Sequence, residues 1–237
     1  MTAEGPRRVE RQAREHAEGA SRPPLVLPHI LKRDAFGEIR LEREERGLVV
    51  VREVSGVRWW LRPLARALLR REARALAALA GLAGIPRLFA CERDRLVREY
   101  LFGEPMQLAR PKRLDYFRAA RRLLIAMHRL GVTHNDLAKE PNWLVLADGS
   151  PGLVDFQLAR VAPPRARFQR LLAREDLRHL LKHKRSYLRE ALTPIERRLL
   201  SRPSWLRRLW FATGKRLYRC YTRRFGSRDR EGLGGYG

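Results

Sequence analysis

Residues 132 to 160 decide how this chain is read. They run Val132-Thr133-His134-Asn135-Asp136-Leu137-Ala138-Lys139-Glu140-Pro141-Asn142, then through Asp148-Gly149-Ser150-Pro151 to Asp155-Phe156-Gln157 and Arg160. Two apolar runs, Trp143 to Ala147 and Gly152 to Phe156, flank the Asp148-Gly149-Ser150-Pro151 segment, which has the composition of a tight hairpin turn. With Asp148 and Gly149 as a two-residue loop, Asn142 falls opposite Asp155; a longer loop shifts the pairing by a residue or two. A carboxamide and a carboxylate then meet beside Asp136, and oxygen donors are what Mg²⁺ selects.

That arrangement suits phosphoryl transfer: Asp136 accepts the proton of an attacking hydroxyl, and Asn142 and Asp155 hold metal against nucleotide phosphates. Taken singly, each of these residues is equally at home at the edge of an ordinary hairpin. Their joint placement is what points to chemistry.

The stretch resembles the catalytic loop and metal-binding segment of protein-kinase-like phosphotransferases, His-Arg-Asp-Leu-x-x-x-Asn followed by Asp-Phe-Gly. Here it reads His134-Asn135-Asp136-Leu137, then Asn142, then Asp155-Phe156-Gln157. Asn142 follows Asp136 by six positions where the motif has five, Asn135 replaces the arginine, and Gln157 replaces the glycine. These departures are similar to the compact atypical branch, the RIO-type kinases and bacterial lipopolysaccharide-core (Kdo/heptose) kinases. The resemblance implies an α+β fold of the compact bilobal protein-kinase-like kind, with a small N-terminal antiparallel sheet carrying one helix and a mainly helical C-terminal lobe. It also implies ATP and Mg²⁺ as cofactors, Lys139 close to the γ-phosphate, and a hydroxyl-bearing acceptor that is either a protein Ser/Thr or a lipopolysaccharide-core sugar.

Working outward, the helix expected from Leu61-Arg62 to Gly81 has Pro63 in its first turn, a position proline favours. Leu61, Leu64, Leu68, Glu72, Leu76 and Leu79 share one stripe at three- and four-residue spacing, so Glu72 lies among apolar neighbours. A buried carboxylate needs a partner. Arg52, at the end of the preceding strand, is the natural one, and the resemblance gives this pair the role of binding nucleotide phosphates. A helix-edge Glu with a surface Arg is the competing reading. Where the family has lysine this chain has Arg52, whose planar guanidinium addresses phosphate differently from an ammonium.

Before the helix, Leu31 to Leu41 and Leu48 to Arg52 read as strands separated by the charged turn Glu42 to Gly47. Gly37 is the glycine available to the turn that, in a kinase-like lobe, covers the phosphates. Leu96 to Gly103 reads as the last strand of this lobe running into a connector, and the resemblance makes Glu99 and Leu101 the adenine-binding hinge. Asp115 is the expected N-cap of a helix ending at Gly131, with Leu123, Leu124, Met127 and Leu130 on its core side. Asp176 either buttresses the catalytic loop or is a plain helix charge, and His134 is expected to brace that loop. Arg58, Arg62, Arg66, Arg70 and Arg74 recur every four residues, either as a solvated stripe or as a face for an anionic partner.

The expected organisation is a tail over residues 1 to 23, an N-lobe over 24 to 100 and a C-lobe over 101 to 237. The 82 residues after Asp155 leave little room for a peptide-docking platform. With 51 Lys+Arg against 26 Asp+Glu, the formal charge of +25 calls for polyanionic company: nucleotide, an anionic membrane, or, least favoured as a primary partner, nucleic acid. The segment from Ser201 to Phe225 interleaves Trp205, Trp210, Phe211, Tyr218 and Tyr221 with arginines, fitting either the last helices of the second lobe or an anionic membrane surface. Cys91 and Cys220 alone exclude a disulfide framework and a zinc site. No apolar run reaches the roughly 18 residues of a membrane span, and a cytoplasmic location, with peripheral contact at the inner membrane face, is expected. The altered positions Arg52, Asn135 and Gln157 leave a second function open, a pseudokinase-like nucleotide-binding scaffold.

Overall fold

A computed structural model describes residues 27–201 of the chain. The expected tail and the aromatic, basic segment beyond Ser201, including Cys220, lie outside the described residues. The chain divides into two compact units, 1–191 and 192–237, and every element of the site below belongs to the first.

That unit begins with a five-stranded antiparallel sheet in the order β1-β2-β3-β5-β4: β1 (His29–Asp34), β2 (Gly37–Glu44), β3 (Gly47–Glu53), β4 (Leu88–Cys91) and β5 (Arg95–Glu99). The expected strand over Leu31 to Leu41 is folded into a hairpin at Asp34–Gly37, and β2 runs on to Glu44, so the charged turn shrinks to Glu45 and Arg46. Central β3 is buried on both faces, which is why its valines are continuous rather than alternating. Val49 and Val51 meet Val97 on one side, while Val50 and Arg52 face the same way as their partners Arg98 and Leu96.

Onto that second face packs α1 (Arg62–Ala78), with Pro63 in its first turn as expected and its end at Leu79, short of Gly81. Its Ala65, Leu69 and Ala73 join Leu96, Val54 and Val57 under the sheet. Its last turn instead supplies Ala75, Leu76 and Leu79 to the larger core. One helix thus ties the sheet to the larger core.

The larger core is built on α3 (Leu114–Arg129), reached through β6 (Gly103–Pro105) and the single turn α2 (Met106–Ala109). Tyr116, Phe117, Ala120, Leu123, Leu124 and Met127 form its buried stripe. Asp115 is not the N-cap, which is Arg113; Asp115 sits exposed in the first turn beside Arg118. Leu130 is 50% exposed because the helix has already ended, and Gly131 takes the left-handed conformation that stops it. After β7 (Val132–Thr133), β8 (Trp143–Leu146) and β9 (Pro151–Leu153) form the expected hairpin, flanked by β6. β10 (Arg160–Val161) returns to pair with β7.

The described unit closes with α4 (Arg167–Tyr187), a continuous helix of 21 residues. In the second unit, α5 (Pro194–Ser201) starts with a capping box: Thr193 N–H donates to Glu196 Oε2, and Glu196 N–H to Thr193 Oγ1. Among the described residues no helix is long and apolar enough to cross a membrane.

Candidate active site

The first half of the site lies under the sheet. Glu72 of α1 is 3% exposed and holds two guanidiniums at once. Arg52 Nη1 of β3 lies 3.3 Å from its Oε2, and Arg98 Nε of β5 lies 3.2 Å from its Oε1. The pair expected from helical spacing and strand position is therefore present, and it is a triad. The sequence pattern does not single out Arg98, although strand alternation puts it in phase with Leu96 on the face turned toward α1. Two cations on one carboxylate leave a net positive charge in a buried place, and Arg52 Nε is itself buried without a partner. Such a group is poised to take an anion.

The second half is the loop between β7 and β8. Asp136 accepts hydrogen bonds on Oδ2 from Lys139 Nζ at 2.7 Å and from Asn142 Nδ2 at 3.2 Å, and Asn142 Nδ2 also reaches the Asp136 carbonyl at 3.0 Å. The extra residue of this loop is taken up by a 3₁₀ turn, Glu140–Asn142, that folds Asn142 back onto Asp136. The bond to Asp136 holds the Lys139 ammonium pKa above its usual value, and the negative charge of Asp155 adds to it. All three sequence-expected residues, with Lys139, are thus within one electrostatic cluster.

The hairpin delivers Asp155 by a register one residue off the two-residue-loop expectation. Trp143 pairs with Leu153, and Val154 N–H donates to the Asn142 carbonyl at 3.1 Å, so Asn142 lies opposite Val154 and not Asp155. The cause is the turn: Leu146 N–H bonds to Ser150 O, leaving three loop residues with Gly149 left-handed at φ 78°. Asp155 then adopts a left-handed backbone at φ 65°, as does Asn135 at φ 66°, an uncommon conformation for both. Its Oδ1 is buried without a partner.

An orphaned carboxylate oxygen beside a carboxamide whose NH₂ end is committed to Asp136 fits a hard cation. No group of three or more His, Cys, Asp or Glu side chains among the described residues forms a metal cage. Mg²⁺ does not ask for one, since it keeps waters and phosphate oxygens in most of its coordination positions.

Helix α4 fastens the loop. Asp176, 1% exposed, accepts from His134 N–H at 2.9 Å and Asn135 N–H at 3.0 Å, and its Oδ2 lies 3.1 Å from His128 Nε2. Of the two readings of Asp176, the buttress is the one realised. His183 Nε2 lies 2.8 Å from the Leu137 carbonyl, and Tyr187 donates to Glu140 Oε2 at 2.5 Å. His134 braces from within: its Nε2 lies 2.9 Å from the Val154 carbonyl, and its ring packs on Phe156.

The remaining expected positions sit at the margins. Gly37 has φ 131°, and a Cβ there would meet the Glu53 carbonyl at 2.3 Å, so glycine is required by the close approach of the hairpin to the end of β3. Glu99 ends β5 with its N–H on the Arg87 carbonyl and its carboxylate accepting from Arg87 N–H and Nε; Leu101 follows in the connector to β6. The arginine repeat is only partly a free stripe. Arg66 grips Asp94 through two bonds of 2.6 and 2.8 Å, and Arg62 donates to the Val57 carbonyl.

Residues 4–198 match the model of APH, the phosphotransferase enzyme family. No curated protein matches the chain. Among solved structures, the Rio2 kinase from Chaetomium thermophilum is similar at a TM-score of 0.55 and 14% identity, over 73% of this chain and 62% of that one. At that identity the likeness is one of fold, and the chain spans less than two thirds of that kinase. With a kinase-like sheet and helix in place and the family model covering most of its length, this chain belongs to the phosphotransferase enzyme family.

Proposed function

We propose that the protein transfers the γ-phosphate of ATP to a hydroxyl of a lipopolysaccharide-core sugar. The observation that carries the reaction is the cluster Asp136, Lys139, Asn142 and Asp155, together with the Arg52–Glu72–Arg98 triad, whose helix α1 packs against the Phe156–Leu158 turn that follows Asp155. Asp136 takes the proton of the attacking hydroxyl: both side-chain bonds to its carboxylate fall on Oδ2, which leaves Oδ1 to receive it. Lys139 steadies that carboxylate and offers positive charge to the phosphoryl group in flight. Arg52, oriented by Glu72, binds the nucleotide phosphates, with Gly37 in the turn above them and the backbone at Glu99 and Leu101 at the adenine edge.

Asn142 and Asp155 are the residues that would hold Mg²⁺, which would supply neutralisation of the nucleotide phosphate charge.

For the acceptor, residues 156–166 lead straight from Asp155 to α4, giving an extended peptide little to lie against. A formal charge of +25 suits a phosphate-rich sugar core better than an average protein surface. Transfer of labelled γ-phosphate to purified lipopolysaccharide core and, in parallel, to a mixed protein Ser/Thr substrate tests this, with Asp136→Asn as control. Label on the core alone is the expected result, label on protein alone moves the acceptor to the protein class, and equal transfer by Asp136→Asn removes the mechanism. Arg52 in the lysine position favours the scaffold reading, which is adopted if nucleotide binds with Mg²⁺ and neither acceptor is labelled.

A further inference from the structure

The turn between β3 and α1 carries Trp59 and Trp60 side by side, 80% and 56% exposed, with Leu64 beyond them also half in solvent. Large apolar side chains gathered at one place on a surface mark an interaction site more often than scattered ones do. Nor is this a loose loop. The Arg58 carbonyl accepts from Leu61 N–H at 2.9 Å and Arg62 N–H at 3.1 Å, which makes the two tryptophans the central pair of a hydrogen-bonded turn. Arg62 closes it from the side, donating Nε and Nη2 to the Val57 carbonyl, and Val54 and Val57 root it in the core under the sheet. The indoles are held outward on a braced turn.

On the α1 side the ground around that turn is cationic, while on the β1–β2 side Asp34, Glu38 and Glu53 are balanced by Arg33, Arg40 and Arg58. From Val54 to Arg71 the chain has Arg58, Arg62, Arg66, Arg70 and Arg71 and no acidic residue. Asp94 answers one of them, Arg66, through its two-bond grip. Flat indoles with a polar N–H, flanked by guanidiniums, match the headgroup region of a bilayer, where tryptophan concentrates and anionic lipids draw arginine.

We infer that Trp59 and Trp60, with Arg58 and Arg62 around them, dock the protein onto an anionic lipid bilayer as a peripheral contact. The β1–β2 turn shares with Val57, Arg58 and Leu61 an open cavity of about 670 Å³, so docking brings the Gly37 turn toward the lipid surface. The contact differs from the aromatic segment beyond Ser201 and does not depend on which hydroxyl is phosphorylated.

The test uses the full chain without nucleotide, so its outcome is separate from that of the transfer assay. Partitioning is measured by co-sedimentation with vesicles of phosphatidylcholine alone and of phosphatidylcholine mixed with phosphatidylglycerol, for the wild type and for W59S/W60S. Wild type is expected to bind the mixed vesicles and not the neutral ones, and the double variant to lose at least about tenfold in partitioning, given the apolar area two indoles withdraw from water. Bromine on the lipid chains should quench wild-type tryptophan emission, and the variant should lose that quenching with its melting temperature unchanged. If the double variant fails to melt cooperatively, Trp60→Ser alone carries the comparison. Equal partitioning of variant and wild type overturns the proposal, whether the ends of the chain do the binding or another segment covers the indoles. Equal binding of wild type to neutral and anionic vesicles overturns it as well.

Discussion

Glu72 and Asp136 are both carboxylates gripped by cations, yet their surroundings make them opposites. Glu72 is sealed under the sheet between Arg52 and Arg98, whose side chains are 5% and 12% exposed. The Asp136 side chain is itself 14% exposed, but that of its partner Lys139 is 61% exposed and tied three residues away on the same loop, so water reaches the pair through the lysine. A sealed cluster cannot fall back on water when one member goes, so its removal strikes the fold. An open pair is screened and adds little to stability, so its removal strikes chemistry alone. The sheet half of the site is thus structural and positioning at once, whereas the loop half is free to be reactive because α4 carries the structural duty for it.

The comparison is broken most directly at Asp136. Asp136→Asn should lower kcat by about 10²–10⁴-fold, the range of a lost general base, while the melting temperature stays close to that of the wild type. Single-turnover transfer and calorimetry on the same preparation check both halves. A large fall in melting temperature would place Asp136 with Glu72 as a fold-bearing group.

Glu72→Ala should behave in the reverse way. It strands two buried guanidiniums and should destabilise the fold by about 3–5 kcal/mol, the penalty typical of breaking a buried ion pair, measured by urea unfolding. Arg98→Met sharpens the point, because Arg52 keeps its partner: stability should fall less than in Glu72→Ala, and nucleotide affinity should fall less than in Arg52→Met.

These two halves were also unequally legible. Glu72 stands out on the leucine stripe even though that stripe is only partly the buried one, since Leu64 is exposed and Ala65, Leu69 and Ala73 face the sheet instead. Arg52 stands out by ending an apolar strand, because burial imprints a local period. Arg98 carried the same imprint, two residues on from Leu96, but its significance depends on knowing that β5 lies next to β3, a long-range fact that no local period contains. In the loop, the residue types Asp136, Asn142 and Asp155 were readable from their motif, and their geometry was not. The hairpin register turned on whether two or three residues make the turn, and Asp-Gly is compatible with both. Asp115 has the composition of a cap, but the chain enters α3 two residues earlier, at Arg113, so that its carboxylate faces solvent. Short β4 escaped notice because four residues are too few to show a period.

Asp176 lies between the two extremes: sealed like Glu72, yet serving the loop. Asp176→Ala leaves the buried N–H of His134 and its neighbour Asn135 N–H without acceptors, at a cost of about 2–3 kcal/mol. It should also lower kcat, since Asp136 follows Asn135 directly. A variant that loses stability with kcat intact would mean that the loop holds its geometry through His183 and Tyr187 alone.

The smallest effect tests whether the brace on α4 is sensitive to acid. His179 sits on that helix one turn from Asp176. Burial pushes its pKa down from 6.5 to about 4, with the positive charge of Lys182 adding to the depression, His183 contributing a little more, and Glu175 and Asp176 opposing it. The folded pKa is therefore below the unfolded one, and between them the unfolded chain binds a proton that the native chain refuses. Stability then rises with pH across that window and is lost as pH falls from about 6.5 toward 4. With residual solvent contact discounted, the loss is about 1–2 kcal/mol. Urea unfolding at intervals across that window should show the slope in wild type and a shallower one in His179→Gln, and an equal slope in both would assign the acid sensitivity to other groups. Because α4 fastens the loop and α1 fastens the triad, amide exchange in mild acid should quicken at His134 and Asn135 before it quickens at Glu72.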